Sequence, residues 1–255
     1  MIVSCLGYGY TSVYLLKELA ANGIKCLGIT NNKKYLKETN AENILILPRR
    51  MTSEAIKQST HLVVTAPPDK NSCPILSQYS NHIKESNVRS IVYISTTGVY
   101  GDHRGKWVNE KSLIKGKKNI NNKYRIDAEN AWLGFCKNIF ITLNIVRLGA
   151  IYGPGKPKIE KSLFKNILIK KNHFFSRVHV FDISRLIAKI LYNSNTNNYW
   201  NIVDNLPATR EKFMTRIIKL KNIKNYNFIN YEEHKEDASI LKKKFWEANK
   251  KVSNK

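Results

Sequence analysis

Short β-branched runs and amphipathic stretches alternate along this chain from its first residues. Ile2–Leu6 reads as a strand, and Thr11–Asn22 sets Val13, Leu16, Leu19 and Ala20 on one helical face before Gly23 stops it. Lys25–Thr30, Asn43–Leu47, His61–Thr65 and Ser90–Ser95 read as further strands. Helices are expected over Ile75–Glu85 and Arg125–Lys137, and a sixth strand over Ile141–Arg147. Strands separated by helices imply βαβ units, so the pattern predicts an α/β fold, a Rossmann-like doubly wound parallel sheet. The second half mixes a helix at Asp182–Tyr192, a strand near Tyr199–Val203 and a helix at Arg210–Leu220. Residues 1–255 are expected to form a single domain, with the region from about 151 onward contributing a small C-terminal substrate-facing lobe. The last twenty or so residues are polar and lysine-rich and are expected to be loosely held.

Two turns in this pattern carry candidate chemistry. The first is Leu6-Gly-Tyr-Gly-Tyr-Thr-Ser12, between the first strand and the first helix. Gly7 would permit the tight turn, and Gly9 would let the backbone approach a pyrophosphate at the helix N-terminus. Ser12 stands where a third glycine is usual. A lone Gly-x-Gly is weak evidence, because many strand–helix turns need a flexible residue. It gains weight by opening an alternating α/β chain. The acidic residue that grips the adenine ribose about 20 residues further on is missing. The second strand ends instead in Gly28-Ile-Thr-Asn-Asn-Lys-Lys34, where Thr30, Asn31 and Lys33 could hold a 2′-phosphate. NADP is therefore the expected cofactor and NAD the alternative; a solvated helix start is the plainer account of Lys33 and Lys34. The second turn is Tyr93-Ile-Ser-Thr-Thr-Gly-Val-Tyr-Gly-Asp102, an apolar run that ends in three hydroxyls. Ligands of open α/β sheets bind just outside the carboxyl ends of the strands, where such hydroxyls can donate to a substrate oxygen.

Composition narrows the class. The chain is 42% hydrophobic and 24% charged, ordinary for a globular protein. No apolar run reaches the roughly 18 residues of a membrane span, and the start lacks the basic and small-residue features of a signal peptide. A cytoplasmic location and no membrane partner are expected. Cys5, Cys26, Cys73 and Cys136 are widely spaced, which suits reduced thiols and gives no metal-ligand pattern. The net charge of +24 raises a nucleic-acid partner. Only ten of the 43 basic residues are Arg, and the lysines are scattered, with short runs at Lys115–Lys118, Lys170–Lys171 and Lys242–Lys244. Readers of nucleic acid cluster Arg and aromatics on one element, so compositional drift is the better account.

Taken together these residues resemble the extended, atypical short-chain dehydrogenases/reductases of the NAD-dependent epimerase/dehydratase group. The Gly7/Gly9 turn, Ser95-Thr-Thr-Gly-Val-Tyr-Gly101, Arg147-Leu-Gly-Ala-Ile-Tyr-Gly-Pro-Gly155 and Arg177-Val-His-Val-Phe-Asp-Ile183 carry the likeness over most of the chain. Trp107-Val-x-Glu110, Ala128-Glu-x-x-Trp132 and Asn249-Lys-Lys-Val-Ser-Asn254 look like a bacterial subgroup of poorly assigned oxidoreductase-like proteins. The resemblance implies a dinucleotide held by Gly7, Gly9, Tyr10 and Thr11, by the Thr30, Asn31 and Lys33 turn, and by Ala66 and Pro67 after the fourth strand. It implies a substrate, sugar-nucleotide-like in kind, beside Thr97, Tyr100 and Tyr152. The oligomeric state stays open, with a homodimer as one arrangement.

The family's catalytic set is a Ser or Thr, a Tyr, and a Lys four residues after that Tyr. Counting back from Tyr100 puts the hydroxyl on Thr96. The match through Ala128-Glu129 puts Arg125 at the lysine position and Asn121 at the tyrosine position, so the usual pair is absent. Arg125 can supply charge but shuttles protons poorly. Tyr124 is the neighbouring candidate phenol and Tyr100 the alternative, either needing a loop geometry unlike the family's. His103, His173 and His179 are weaker acid–base candidates, His179 reading more as a hydrogen-bonded scaffold residue. Asp102 and Glu110 read as solvated carboxylates, Asp182 as an N-cap, and Trp107 and Trp132 as packing residues. Three functions follow: an NAD(P)-dependent oxidoreductase acting on a hydroxyl or carbonyl, a catalytically degraded NAD(P)-binding sensor, and a nucleic-acid-associated basic protein.

Overall fold

The computed structural model describes residues 1–37, 41–156, 164–193, 196–236 and 245–254. The Lys242–Lys244 run lies outside them. In chain order the first elements are β1 (Ile2–Leu6), α1 (Tyr10–Ala21), β2 (Lys25–Thr30), a one-turn α2 (Lys33–Leu36), β3 (Ile44–Pro48), α3 (Thr52–Gln58), β4 (His61–Val64), α4 (Pro74–Lys84) and β5 (Ser90–Thr96). There follow a short β6 (Trp107–Val108), α5 (Ile120–Asn138), β7 (Thr142–Leu148) and β8 (Ala150–Tyr152). The remainder comprises β9 (Ile167–Ile169), β10 (Phe174–Phe175), β11 (Arg177–His179), α6 (Val180–Asn193), β12 (Asn198–Ile202), β13 (Ala208–Thr209), α7 (Arg210–Leu220), β14 (Phe228–Asn230) and β15 (Lys251–Val252).

Seven strands form one sheet in the order β12-β7-β5-β4-β1-β2-β3, and every neighbouring pair is parallel. The strand order reverses between β1 and β4, which is the crevice where a doubly wound sheet takes its ligand. Alternate residues of each strand feed two cores. Val63, Val92 and Ile94 face Leu15, Leu16 and Leu19 of α1 and Ile183 and Ile187 of α6. Leu62, Val64, Ile91 and Tyr93 face Ile56 of α3, Ile83 of α4 and Trp132 of α5. Covering both faces is why these strands read as continuous apolar runs rather than alternating ones.

The chain after residue 151 serves two places. β9, β14, Phe164, Met214 and Ile218 build the small lobe with a core of its own. α6 packs back onto α1, and β12 closes the edge of the main sheet. Two boundaries differ from the expected ones. α5 starts at Ile120 because the Asn119 side chain accepts from Asn121 N at 3.1 Å and Asn122 N at 3.4 Å, a cap the apolar pattern hides. α6 starts at Val180, so Asp182 lies in its first turn and is not its N-cap; His179 Nδ1 accepts from Phe181 N at 3.3 Å.

The expectation of a loose C-terminus is corrected for residues 245–254. Trp246 and Val252 are buried, and β15 pairs in parallel with β6. Asn249 fixes this strap: its carbonyl accepts from His103 N at 3.0 Å and Gly105 N at 2.9 Å, and its Oδ1 accepts from Phe174 N at 2.8 Å. Sequence polarity misleads here because the anchoring groups are backbone and amide, which polar composition does not penalise.

Candidate functional site

Three hollows follow the carboxyl ends of the strands. The first, about 390 Å³, is lined by Gly7, Thr30, Asn31, Arg49, Ala66 and Pro67 among others. Gly7 has φ of 116°, and a Cβ there would come within 2.6 Å of Ala66 N, so the turn requires glycine. Its carbonyl accepts from Ser12 Oγ at 3.1 Å and from the Thr65 hydroxyl. Ser12 thus does more than fill the third glycine's place: it ties helix to turn. Gly9 caps α1 with extended backbone, and a Cβ there meets nothing closer than Gly7 O at 3.9 Å. The first turn of α1 thus has no side-chain cap, and the space beside Gly9 is open, room that a phosphate at the helix N-terminus needs and a side chain at residue 9 would occupy.

Of the residues expected on the ribose, Thr30 and Asn31 line this cleft, whereas Lys33 is exposed at the start of α2 and is not part of the lining. Thr30 Oγ1 accepts from Asn32 N at 3.1 Å. The cation in the cleft is Arg49, which sequence reasoning missed; its guanidinium donates to Gln78 Oε1 at 3.0 Å. Tyr10, expected on the dinucleotide, is not part of the cleft's lining. Its hydroxyl donates to Pro154 O at 3.0 Å, and its ring sits under Lys156 Nζ at 4.5 Å, clasping the start of α1 to the Tyr-Gly-Pro-Gly loop. Thr11 is half-buried in the first turn of α1.

The second hollow, about 220 Å³, opens at the ends of β5 and β7 and includes Thr96, Thr97, Gly98, Asn122 and Lys250 in its wall. Thr96 Oγ1 accepts from Gly98 N at 3.1 Å, which leaves its proton free to donate into the pocket. Tyr124 and Arg125 are half-buried and do not line it. Arg125 Nη1 is spent on Ile94 O at 2.7 Å, just beneath the strand end. Asn121, at the tyrosine position, is exposed. Tyr100, expected against substrate, is fully buried: its hydroxyl donates to Asn201 Oδ1 at 2.8 Å and accepts from Arg147 Nη1 at 3.1 Å. Burial raises its phenol pKa.

Below that pocket runs a fully paired network. Arg147 Nη2 meets Glu129 Oε2 at 2.7 Å, both side chains being buried, and Ser95 Oγ donates to Glu129 Oε1 at 2.5 Å. Glu129 holds the Arg147 guanidinium protonated against the cost of burial. The Ala-Glu and Arg147 motifs are thus structural rivets under the strand ends.

The third hollow, about 790 Å³, lies in the lobe and includes Tyr152, Lys156, Arg177, His179, Arg216 and Lys221 in its lining. Arg177 pairs with Asp204 at 3.4 Å and stacks over Phe213, its centre 5.0 Å from the ring. Tyr152 meets the edge of His179 at 5.1 Å between ring centres, and burial raises its pKa. The other expectations fall elsewhere. His103 Nε2 contacts Leu113 O at 3.1 Å, Asp102 Oδ1 accepts from Arg104 N at 2.9 Å, and Glu110 accepts from Asn201 N at 2.8 Å, so all three serve the backbone. Trp132 is fully buried core, while Trp107 is 55% exposed and so packs little. Among the described residues no helix is long and apolar enough to cross a membrane.

No protein-family model matches the sequence, and no curated protein matches it. Solved structures do. A functionally unknown conserved protein from Silicibacter pomeroyi is 27% identical with a TM-score of 0.90, covering 99% of this chain and 89% of that one. MoeE5, solved with UDP-glucuronic acid and NAD, is 13% identical with a TM-score of 0.75 over 99% of this chain and 89% of its own. UDP-glucuronic acid 4-epimerase from Bacillus cereus, solved with NAD, is 17% identical with a TM-score of 0.74 over 90% of this chain and 88% of its own. By its sheet order and by these neighbours, the chain has the extended short-chain dehydrogenase/reductase fold of the NAD-dependent epimerases and dehydratases.

Proposed function

We propose that this protein binds a nicotinamide dinucleotide, NADP in preference to NAD, and moves a hydride between it and a hydroxyl or carbonyl of a sugar-nucleotide-like substrate. The observation that carries the reading is the row of three hollows along the strand ends, each with the chemistry one part of such a complex needs. The open N-terminus of α1 behind Gly9 suits the pyrophosphate, and Thr30, Asn31 and Arg49 suit a phosphorylated ribose. The hydroxyls at Thr96 and Thr97 suit the reacting oxygen. The basic lobe cavity, with Lys156, Arg216 and Lys221, suits a diphosphate, and the neighbour MoeE5 is solved with UDP-glucuronic acid. The bound dinucleotide supplies hydride chemistry; this chain's residues hold it, orient the substrate oxygen and exclude water.

Fluorescence titration tests the reading. NADPH is expected to bind more tightly than NADH, and Arg49→Glu to erase the difference by removing the cation and adding repulsion. Gly9→Val should weaken both dinucleotides at least about tenfold at an unchanged melting temperature, because its side chain occupies the cradle rather than the core. Unchanged NADPH affinity in folded Gly9→Val protein would refute the cofactor site.

A second reading, a dinucleotide-binding protein without turnover, is favoured by one observation. The positions of the family's phenol and lysine hold an exposed Asn121 and an Arg125 already bonded to Ile94 O. Its proton chemistry must come from elsewhere or not at all.

A further inference from the structure

The pocket beside Thr96 is walled on one side by the C-terminal strap, and the strap brings Lys250 into it. Among the described residues Lys250 is the one titratable side chain in that lining; the rest are Thr96, Thr97, Asn122, Ser176, phenylalanines and small or aliphatic residues. It is 8% exposed, and among the described residues no hydrogen bond or ion pair engages its ammonium. The charges around it are few. Asp102 acts on it from a distance, but that carboxylate already accepts from Arg104 N and from Asn249 N at 3.2 Å. His173 is the other titratable group facing it, neutral and packed against Phe245 and Trp246.

The lysine is also held in place. On one side Asn249 is anchored through His103 N, Gly105 N and Phe174 N. On the other, Lys251 N donates to Lys106 O at 3.0 Å and Val252 N to Ser176 Oγ at 2.9 Å. A buried amine costs stability unless paired, yet here the backbone on both sides is fixed so that the amine stays.

We propose that Lys250 is the acid–base group of this site, taking over at the Thr96 pocket the proton transfer for which helix α5 places no phenol in the pocket lining, Tyr124 lying outside it. The proposal rests on the dinucleotide reading above. In the oxidative direction the substrate hydroxyl oxygen accepts from Thr96 Oγ1 and gives its proton to the neutral amine Nζ, which becomes an ammonium. The carbinol C–H bond breaks as the carbonyl forms, and its electron pair would leave as hydride to a bound oxidised nicotinamide, the two-electron acceptor; in the reverse direction the proton returns from Nζ to the carbonyl oxygen. Burial lowers the Lys250 pKa to about 8, against an ordinary value of 10.5, so both protonation states are accessible near neutrality.

Competitive acetylation of the intact protein with trace acetic anhydride across pH 6–12, read by fragment-ion mass spectrometry, gives the titration of Lys250 separately from Lys251. The expected inflection lies near 8 in the free protein, with surface lysines near 10.4. Saturating NADP⁺, whose ring is positively charged, should move it down by about half a unit or more, and NADPH should not, since like charge disfavours the ammonium. A lysine that only braces the strap would not distinguish the two. An inflection shared with the surface lysines, or one equal in NADP⁺ and NADPH, overturns the proposal. Failure of either dinucleotide to bind overturns the reading beneath it as well, and the fluorescence titration tells these cases apart.

Discussion

Two buried cations of this chain are treated in opposite ways. Arg147, 4% exposed, is met by both oxygens of Glu129, by the Tyr100 hydroxyl and by the face of Tyr199 at 4.5 Å. Lys250, 8% exposed, has no such partner among the described residues. The first charge is compensated and so can only build; the second is uncompensated and so is free to exchange a proton. The difference also explains why the matching motifs mislead. Tyr100 and Glu129 sit beside the catalytic-looking segment, yet they hold the strand ends in register, while the group with exposed chemistry arrives from the other end of the chain.

The comparison breaks most visibly at the paired side. Arg147→Met strands a buried Glu129 carboxylate and is expected to cost about 3–5 kcal/mol in urea unfolding, with Glu129→Leu in the same chain recovering much of it. Recovery absent from the double variant would mean the pair is not the source of the loss.

Acid sharpens the comparison next. His173, buried at the strap, has its pKa lowered to about 4 by burial first and by Lys170 and Lys250 second, against 6.5 unfolded. Its folded value is depressed, so the stability it permits is complete above pH 6.5 and is lost as pH falls through 4. The expected loss approaches about 3 kcal/mol at pH 4, and His173→Phe should flatten the pH profile over that window.

The smallest effect is at the unpaired cation. Lys250→Met should raise stability at pH 7 by about 1 kcal/mol, because a charge leaves a dry site and the apolar stem remains. The lysine's folded pKa is depressed from 10.5 to about 8, so wild-type stability climbs between those values and the advantage of Met shrinks as pH rises through them. A loss of stability on Lys250→Met would show that the amine is paired after all.

Much of this could be read in the sequence. The strands of the main sheet were found within a residue or so of their observed bounds, because burial on both faces makes each a compact apolar run. Gly7, Gly9, Thr96, Ala66 and Pro67 fall at strand ends for the same reason: the alternating pattern locates the crest where ligands bind. The lobe was harder. β8, β10, β11 and β13 are two or three residues long, too short for any periodicity to register. Arg49 was hidden behind a third strand whose turn carries no glycine signal. Lys250 was hidden by its surroundings: one lysine among many in a polar tail gives no sign of being buried, since burial there depends on Asn249 and Trp246 finding partners far away in sequence.

That distance has a consequence for how the molecule forms. Asp102 and Asn249 touch across 147 positions, and β6 waits for β15 before it has any partner strand. Closing so long a loop is entropically expensive and is rewarded only when the strap's own contacts form, so high contact order makes this docking slow relative to the local helices. Refolding monitored at Trp246, in a variant with the other tryptophans replaced by Phe, should therefore lag behind far-ultraviolet circular dichroism. In the interval the cleft beside Gly7 would be complete while the pocket at Thr96 still lacked one of its walls.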